Sequence, residues 1–184
     1  MKKLSLYIFL GMIFSNIVQA LPKCKGKHNE WVNCYGAYLK LEISPGWTVD
    51  YEGEFGNIPG IREGTGSATT YKDGVFSNSY VGDWKNNQPH GKGIDVLVNV
   101  GKYEGDFIDG NFHGYGIFTW KNGTKYEGEW KNHFRYGEGH MIFSNGSEYI
   151  GNFKNGKFEG EGTFIKEGIS TKGIWKNNKL VKQN

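Results

Sequence analysis

Histidines, carboxylates and cysteines are the side chains here that could carry chemistry, so their spacing is the first test. His90 and His113 stand 23 residues apart, each just ahead of a glycine pair, and adjacent strands could bring two such imidazoles to one metal ion. The same place in the next two stretches holds Tyr136 and Glu159, no Cys or Asp column accompanies the pair, and His28, His133 and His140 have no comparable partner. The pattern reads as polar exposure, and no metal is expected. Glu52 and Glu54, Glu104 and Asp106, and Glu127 and Glu129 form two columns of acids. Acid–base work needs environments that push two such pKa values apart; columns lying beside Lys92 and Glu138 read as a solvated face instead. Recurrent Gly-x-Gly pairs raise the question of phosphate binding. Each pair sits inside an alternating pattern that leads into another strand, whereas a phosphate cradle needs a following helix N-terminus. No Ser-His-Asp or Cys-His order stands out. The chain is expected to be no enzyme and to carry no cofactor.

Cys24 and Cys34 lie close together near the start, behind a stretch that reads as a secretory signal. Lys2 and Lys3 give it a basic start, Leu4 to Phe14 an apolar middle, and Val18-Gln19-Ala20 a small-residue cleavage site. Two thiols in an exported protein are expected to form a disulfide, which across so short a loop stabilises by about 3 kcal/mol. A metal site at these thiols would lack ligands, since only His28 is near. The expected location is therefore outside the cytoplasm, periplasmic or secreted. Removing the leader takes away two lysines and no acid, so the charge falls from +3 to +1. So neutral a chain gives no reason to expect nucleic acid as a partner.

The elements that must position these residues are stated by a repeat. A shift of 23 residues puts Tyr80, Tyr103, Tyr126 and Tyr149 in one column. A Gly and an aromatic follow each Tyr: Gly82 and Trp84, Gly105 and Phe107, Gly128 and Trp130, Gly151 and Phe153. A second glycine pair comes later in each copy, as at Gly114 and Gly116. A fixed period of this length signals a repeat architecture. Tyr103, Gly105 and Phe107 alternate with Glu104 and Asp106, the period of a half-buried strand. Asp109-Gly110 and Asn155-Gly156 supply the positive φ angles of tight hairpins. Each copy is thus expected to be a β-hairpin with one face of glycines and aromatics. Glycine costs backbone entropy in a strand; the cost makes sense if neighbouring rings lie flat where Cβ is missing.

The pattern YxGxW or YxGxF followed by GxGx and an apolar residue resembles the MORN repeat family. The resemblance implies a fold, namely successive hairpins joined into one long antiparallel sheet, and it links such arrays with membranes and phospholipid head groups. The expected fold class is all-β: an elongated single-layer antiparallel sheet of tandem hairpins with a disulfide-closed N-terminal cap. The expected order is leader 1–20, cap and half repeat 21–50, an aberrant repeat 51–79 and repeats 80–102, 103–125, 126–148 and 149–170. A half repeat and tail, 171–184, closes the chain, with no second strand expected after Trp175. The aberrant copy carries insertions in the turn 56–63 and at 67–79.

Rows of aromatic rings on so thin a sheet imply an interaction surface. The expected function is a non-catalytic scaffold for a protein partner or for self-association through the aromatic face, with peripheral membrane binding as the alternative. The side chains expected to make contact are Tyr80, Trp84, Tyr103, Phe107, Trp120, Tyr126, Trp130 and Tyr149, which are also expected to stack on the glycines.

Overall fold

A computed structural model describes residues 21–184; the expected leader lies outside the described residues. Apart from one 3-10 turn, His28–Glu30, the regular elements are strands. They are β1 (Cys34–Ser44), β2 (Trp47–Phe55), β3 (Arg62–Lys72), β4 (Val75–Lys85), β5 (Gln88–Leu97), β6 (Gly101–Ile108) and β7 (Asn111–Trp120). The series continues with β8 (Lys125–Lys131), β9 (Phe134–Ile142), β10 (Glu148–Lys154), β11 (Lys157–Lys166), β12 (Ile169–Lys176) and β13 (Lys179–Gln183). Each pairs antiparallel with the next, in chain order, in one 13-stranded sheet. The all-β, hairpin-by-hairpin expectation holds.

Two local devices make the ribbon. The turns Asn86-Asn87, Asp109-Gly110, Asn132-His133, Asn155-Gly156 and Asn177-Asn178 have positive φ at both residues. That is the two-residue hairpin geometry whose twist matches the strands it joins, and Asn, Asp and Gly tolerate it best. The second residue of each turn also reaches sideways: the N–H of Gly110 donates to Pro89 O (2.8 Å), that of His133 to Phe112 O (3.1 Å), and that of Gly156 to Arg135 O (3.0 Å). Successive turns are therefore bonded to one another along one edge.

The second device is a β-bulge in each copy, seen as a register slip at Gly82/Asp83, Gly105/Asp106 and Gly128/Trp130. The first glycine of the later pair takes the left-handed conformation that a bulge requires, with φ of 60° at Gly91, 54° at Gly114 and 58° at Gly137. The bulge frees one backbone N–H, and an acid takes it. Asp83 Oδ2 accepts from Lys92 N–H (2.9 Å), Asp106 Oδ2 from Tyr115 N–H (2.9 Å), and Glu129 Oε1 from Glu138 N–H (3.0 Å). One of the two acid columns, that of Asp106 and Glu129, is thus structural. The other column is paired at the surface, as in Lys102–Glu104 and Lys125–Glu127.

The two ends differ. At the start, Cys24 and Cys34 form the expected disulfide, and residues 22–24 pair with β1: Cys24 N–H donates to Tyr35 O and Tyr35 N–H to Pro22 O, both 2.9 Å. This blunts an edge that would otherwise invite strand addition. At the far end the expectation of no second strand is corrected. Asn177-Asn178 turns the chain, β13 pairs with β12 from Lys176/Lys179 to Gly173/Gln183, and Leu180 takes the seat over Gly173 that a ring fills elsewhere.

The aromatic face of the ribbon as candidate functional site

In each copy the Tyr ring lies across the second glycine of the following strand. A Cβ built on Gly93 would sit 2.5 Å from Tyr80 Cε2, and on Gly139 2.5 Å from Tyr126 Cε2; Gly66, Gly116 and Gly162 stand in the same relation to Tyr51, Tyr103 and Tyr149. Real Cβ atoms do not approach so closely, so the bare backbone is what admits the ring. From that position the hydroxyl donates to a carbonyl three residues on: Tyr80 to Asp83 O (2.7 Å), Tyr103 to Asp106 O (2.9 Å), Tyr126 to Glu129 O (2.9 Å) and Tyr149 to Asn152 O (3.2 Å). Burial pushes the Tyr149 phenol up to about 12 and those of Tyr51, Tyr80, Tyr103 and Tyr126 higher still. The phenols therefore stay neutral donors at any physiological pH.

Beside the tyrosines stand the Trp and Phe of the same copy and of the next. The rings run Phe55, Tyr51, Trp84, Tyr80, Phe107, Tyr103, continuing through Trp130, Tyr126, Phe153 and Tyr149 to Trp175. Successive centroids are 4.9–5.4 Å apart and successive planes 77–89° to each other. Edge-to-face contacts of this kind are worth about 0.5–1.5 kcal/mol each beyond the area they bury. Neighbouring copies are thus joined by side chains as well as by sheet hydrogen bonds. The cap joins the row as well: Trp31 lies over Gly36, the seat its half repeat would otherwise leave empty, and packs edge-on to Phe55 at 5.0 Å.

A second residue closes four of these five tyrosines from above. Phe112 stacks on Tyr103 (3.9 Å, 9°) and Phe158 on Tyr149 (3.7 Å, 7°), whereas Arg135 and Arg62 place guanidinium groups 5.8 Å and 5.4 Å from the Tyr126 and Tyr51 centroids. Burial lowers the pKa of both arginines, and both remain cations over π-faces.

These placements sort the eight residues expected to make contact. Tyr80, Trp84, Tyr103, Phe107, Tyr126, Trp130 and Tyr149 are 0–5% exposed, their surfaces taken up by glycine below and rings beside them. Trp120 is partly open. It stands in a column with Leu97 and Phe143, 23 residues to either side, and both of these are also partly buried against the ring row. The sequence held that signal, since all three follow their Tyr at the same interval, but only the Trp was singled out. The histidines do not converge: His90 Nδ1 lies 3.5 Å from Asp109, His133 packs on Phe112, and among the described residues no group of three or more potential metal ligands occurs. What this face can do is hold a fixed shape and meet apolar surface.

The family model of the MORN repeat matches residues 80–94, 103–125, 126–148 and 149–167. No curated protein matches the chain significantly. The copy at Tyr51 lies outside the matched residues, yet its tyrosine occupies the same seat over Gly66.

Proposed function

This chain belongs to the MORN repeat family through residues 80–167, and from that premise we propose that it is a non-catalytic scaffold binding a protein partner, or a second copy of itself, outside the cytoplasm. MORN repeats are in general protein- or membrane-interaction modules without catalytic chemistry of their own. The observation that carries the reading is the contrast on the aromatic face. A closed course of rings makes the ribbon stiff, and over it the row Leu97, Trp120 and Phe143 is left partly open. The seven buried residues of the candidate set act from beneath, holding that row in place. A rigid aromatic anchor loses little entropy on binding, which is why Trp dominates many interfaces. The Cys24–Cys34 bond fits an oxidising compartment.

Crosslinking the chain in its own cell and weighing the adducts tests this, with Trp120→Ala/Phe143→Ala beside the wild type. Adducts of defined mass that the double variant loses, while its strand content is unchanged, are expected. Adducts that persist in the variant would overturn the reading, and sedimentation across concentration separates a foreign partner from self-association.

One observation favours a membrane surface as the second reading. The hairpin tips on one long edge expose Val75, Val98 and Val100 (69%, 42% and 48%) near Lys72, Lys102 and Lys121. Apolar tips ringed by lysines suit an anionic bilayer. Flotation with anionic liposomes at low salt decides: no co-flotation eliminates it.

A further inference from the structure

The three irregular parts of the chain meet at one place. The cap contributes His28 and Asn29, the turn insertion Pro59 and Arg62, and the lengthened hairpin Thr70 and Asn78 to a half-open groove of about 490 Å3 on the aromatic face. Its apolar lining includes Tyr38, Tyr80 and Trp84. In the regular copies a two-residue turn joins the paired strands instead. Convergent insertions on a rigid scaffold are where binding sites are commonly built, and the volume and mixed lining are those of a small-molecule site.

The chemistry of the groove is set by Arg62. Nε and Nη2 donate to Asn87 Oδ1 (3.3 Å) and Asn87 O (2.8 Å), while Nη1 has no hydrogen bond among the described residues. No carboxylate among the described residues lies within ion-pairing distance of the guanidinium, and no acid lines the groove. Arg135, its equivalent two copies later than the next, differs in having both terminal nitrogens engaged, Nη1 on Met141 Sδ and Nη2 on Gly156 O. The neighbouring indole is also short of a partner. Trp130 and Trp175 Nε1 each donate to a glycine carbonyl at 3.0 Å, whereas Trp84 Nε1, beneath the Arg62 guanidinium at 4.2 Å from its ring, is buried without one. An unpaired cation held in a low-dielectric, donor-rich, acid-free groove favours an anion.

We propose that this groove binds a carboxylate carried on an apolar body. Arg62 Nη1 takes the carboxylate, and Tyr38, Tyr80 and Trp84 take the hydrocarbon or ring. A planar two-oxygen acceptor matches the guanidinium fork better than a point anion does.

Titration calorimetry with laurate is the test, with dodecanol and dodecyltrimethylammonium as neutral and cationic bodies of the same length. Laurate is expected to bind, with dodecanol at least about tenfold weaker and the ammonium not binding, because one charged hydrogen bond is worth that factor or more. Arg62→Gln should weaken laurate by about tenfold or more, and Arg135→Gln, stacked in the same column away from the groove, by less than about twofold. Should Arg62→Gln lose strand content, Arg62→Lys takes its place, keeping the charge and losing the planar fork, with a several-fold loss of laurate affinity expected. No laurate binding, equal binding of laurate and dodecanol, or equal weakening by both Gln variants would overturn the proposal.

Discussion

Asp95 is a carboxylate in a column made for hydrocarbon. Its register neighbours are Tyr80 on one side and Tyr103 on the other, and the same place in other copies holds Ala68, Phe118, Met141 and Phe164. Its Oδ1 is buried with no partner, and burial raises its pKa from 3.8 to about 6 against a hydrogen bond from Asn78 that works the other way. The sign follows from linkage. Below about pH 4 the group is protonated in the folded and the unfolded chain alike, and it costs nothing. Between about 4 and 6 the unfolded chain releases the proton and the folded chain keeps it, so stability falls as pH rises; above 6 the cost is constant. The full shift corresponds to about 3 kcal/mol. Because the group is partly open to water, we expect about 1–2 kcal/mol. Asp95→Asn keeps the shape and cannot ionise. Urea denaturation should therefore find wild type and variant equal near pH 3.5 and the variant more stable by about 1–2 kcal/mol at pH 7.5, a difference of about 2–8 °C in Tm. A difference independent of pH, or a wild type that gains on the variant as pH rises, would refute the reasoning.

Asp106→Ala leaves the Tyr115 N–H of the bulge without its acceptor and should cost about 1–3 kcal/mol in denaturant titration, whereas Glu104→Ala on the same strand, exposed and paired only with Lys102, should stay within about 0.5 kcal/mol. Reducing the Cys24–Cys34 bond should destabilise by about 3 kcal/mol and speed amide exchange in β1 and β2 before β8 to β11, as read by hydrogen exchange. Leu180→Asp should release β13 from its seat over Gly173, seen as faster exchange at residues 179–183, with β4 to β10 unchanged.

The period, the hairpins and the ring-bearing face were legible because they rest on recurring columns of Tyr, Gly and Trp or Phe. The disulfide was legible because two thiols lay close together behind a stretch that reads as an export signal. The bulge was not. Gly114 and Gly116 look like two equivalent strand positions in a string, and only the register slip shows that the first turns the backbone while Asp106 fills the gap. Burial of the rings was half legible: the glycine seats follow from the pattern, but edge-to-face contact of Tyr103 with Trp130 joins residues 27 apart along the chain, in neighbouring copies. Strand β13 was missed because Lys-Leu-Val-Lys-Gln has none of the columns, although Asn177-Asn178 repeats the turn at Asn86-Asn87. The groove could not be read at all, since it depends on where the cap and two insertions come together.

The account rests on rings lying where backbone is bare, and a double-mutant cycle at Gly116 and Tyr103 tests that most directly. A Cβ on Gly116 would come 2.5 Å from Tyr103 Cζ, so Gly116→Ala should cost about 1–3 kcal/mol or more from overpacking. In a Tyr103→Ala background the same change should be neutral or stabilise by about 0.5–1 kcal/mol, the ordinary gain on replacing glycine in a strand. A coupling of at least about 1.5 kcal/mol between the two sites is the expected result. If Gly116→Ala costs the same with and without the Tyr103 ring, the glycines are there for some other reason and the central claim is wrong.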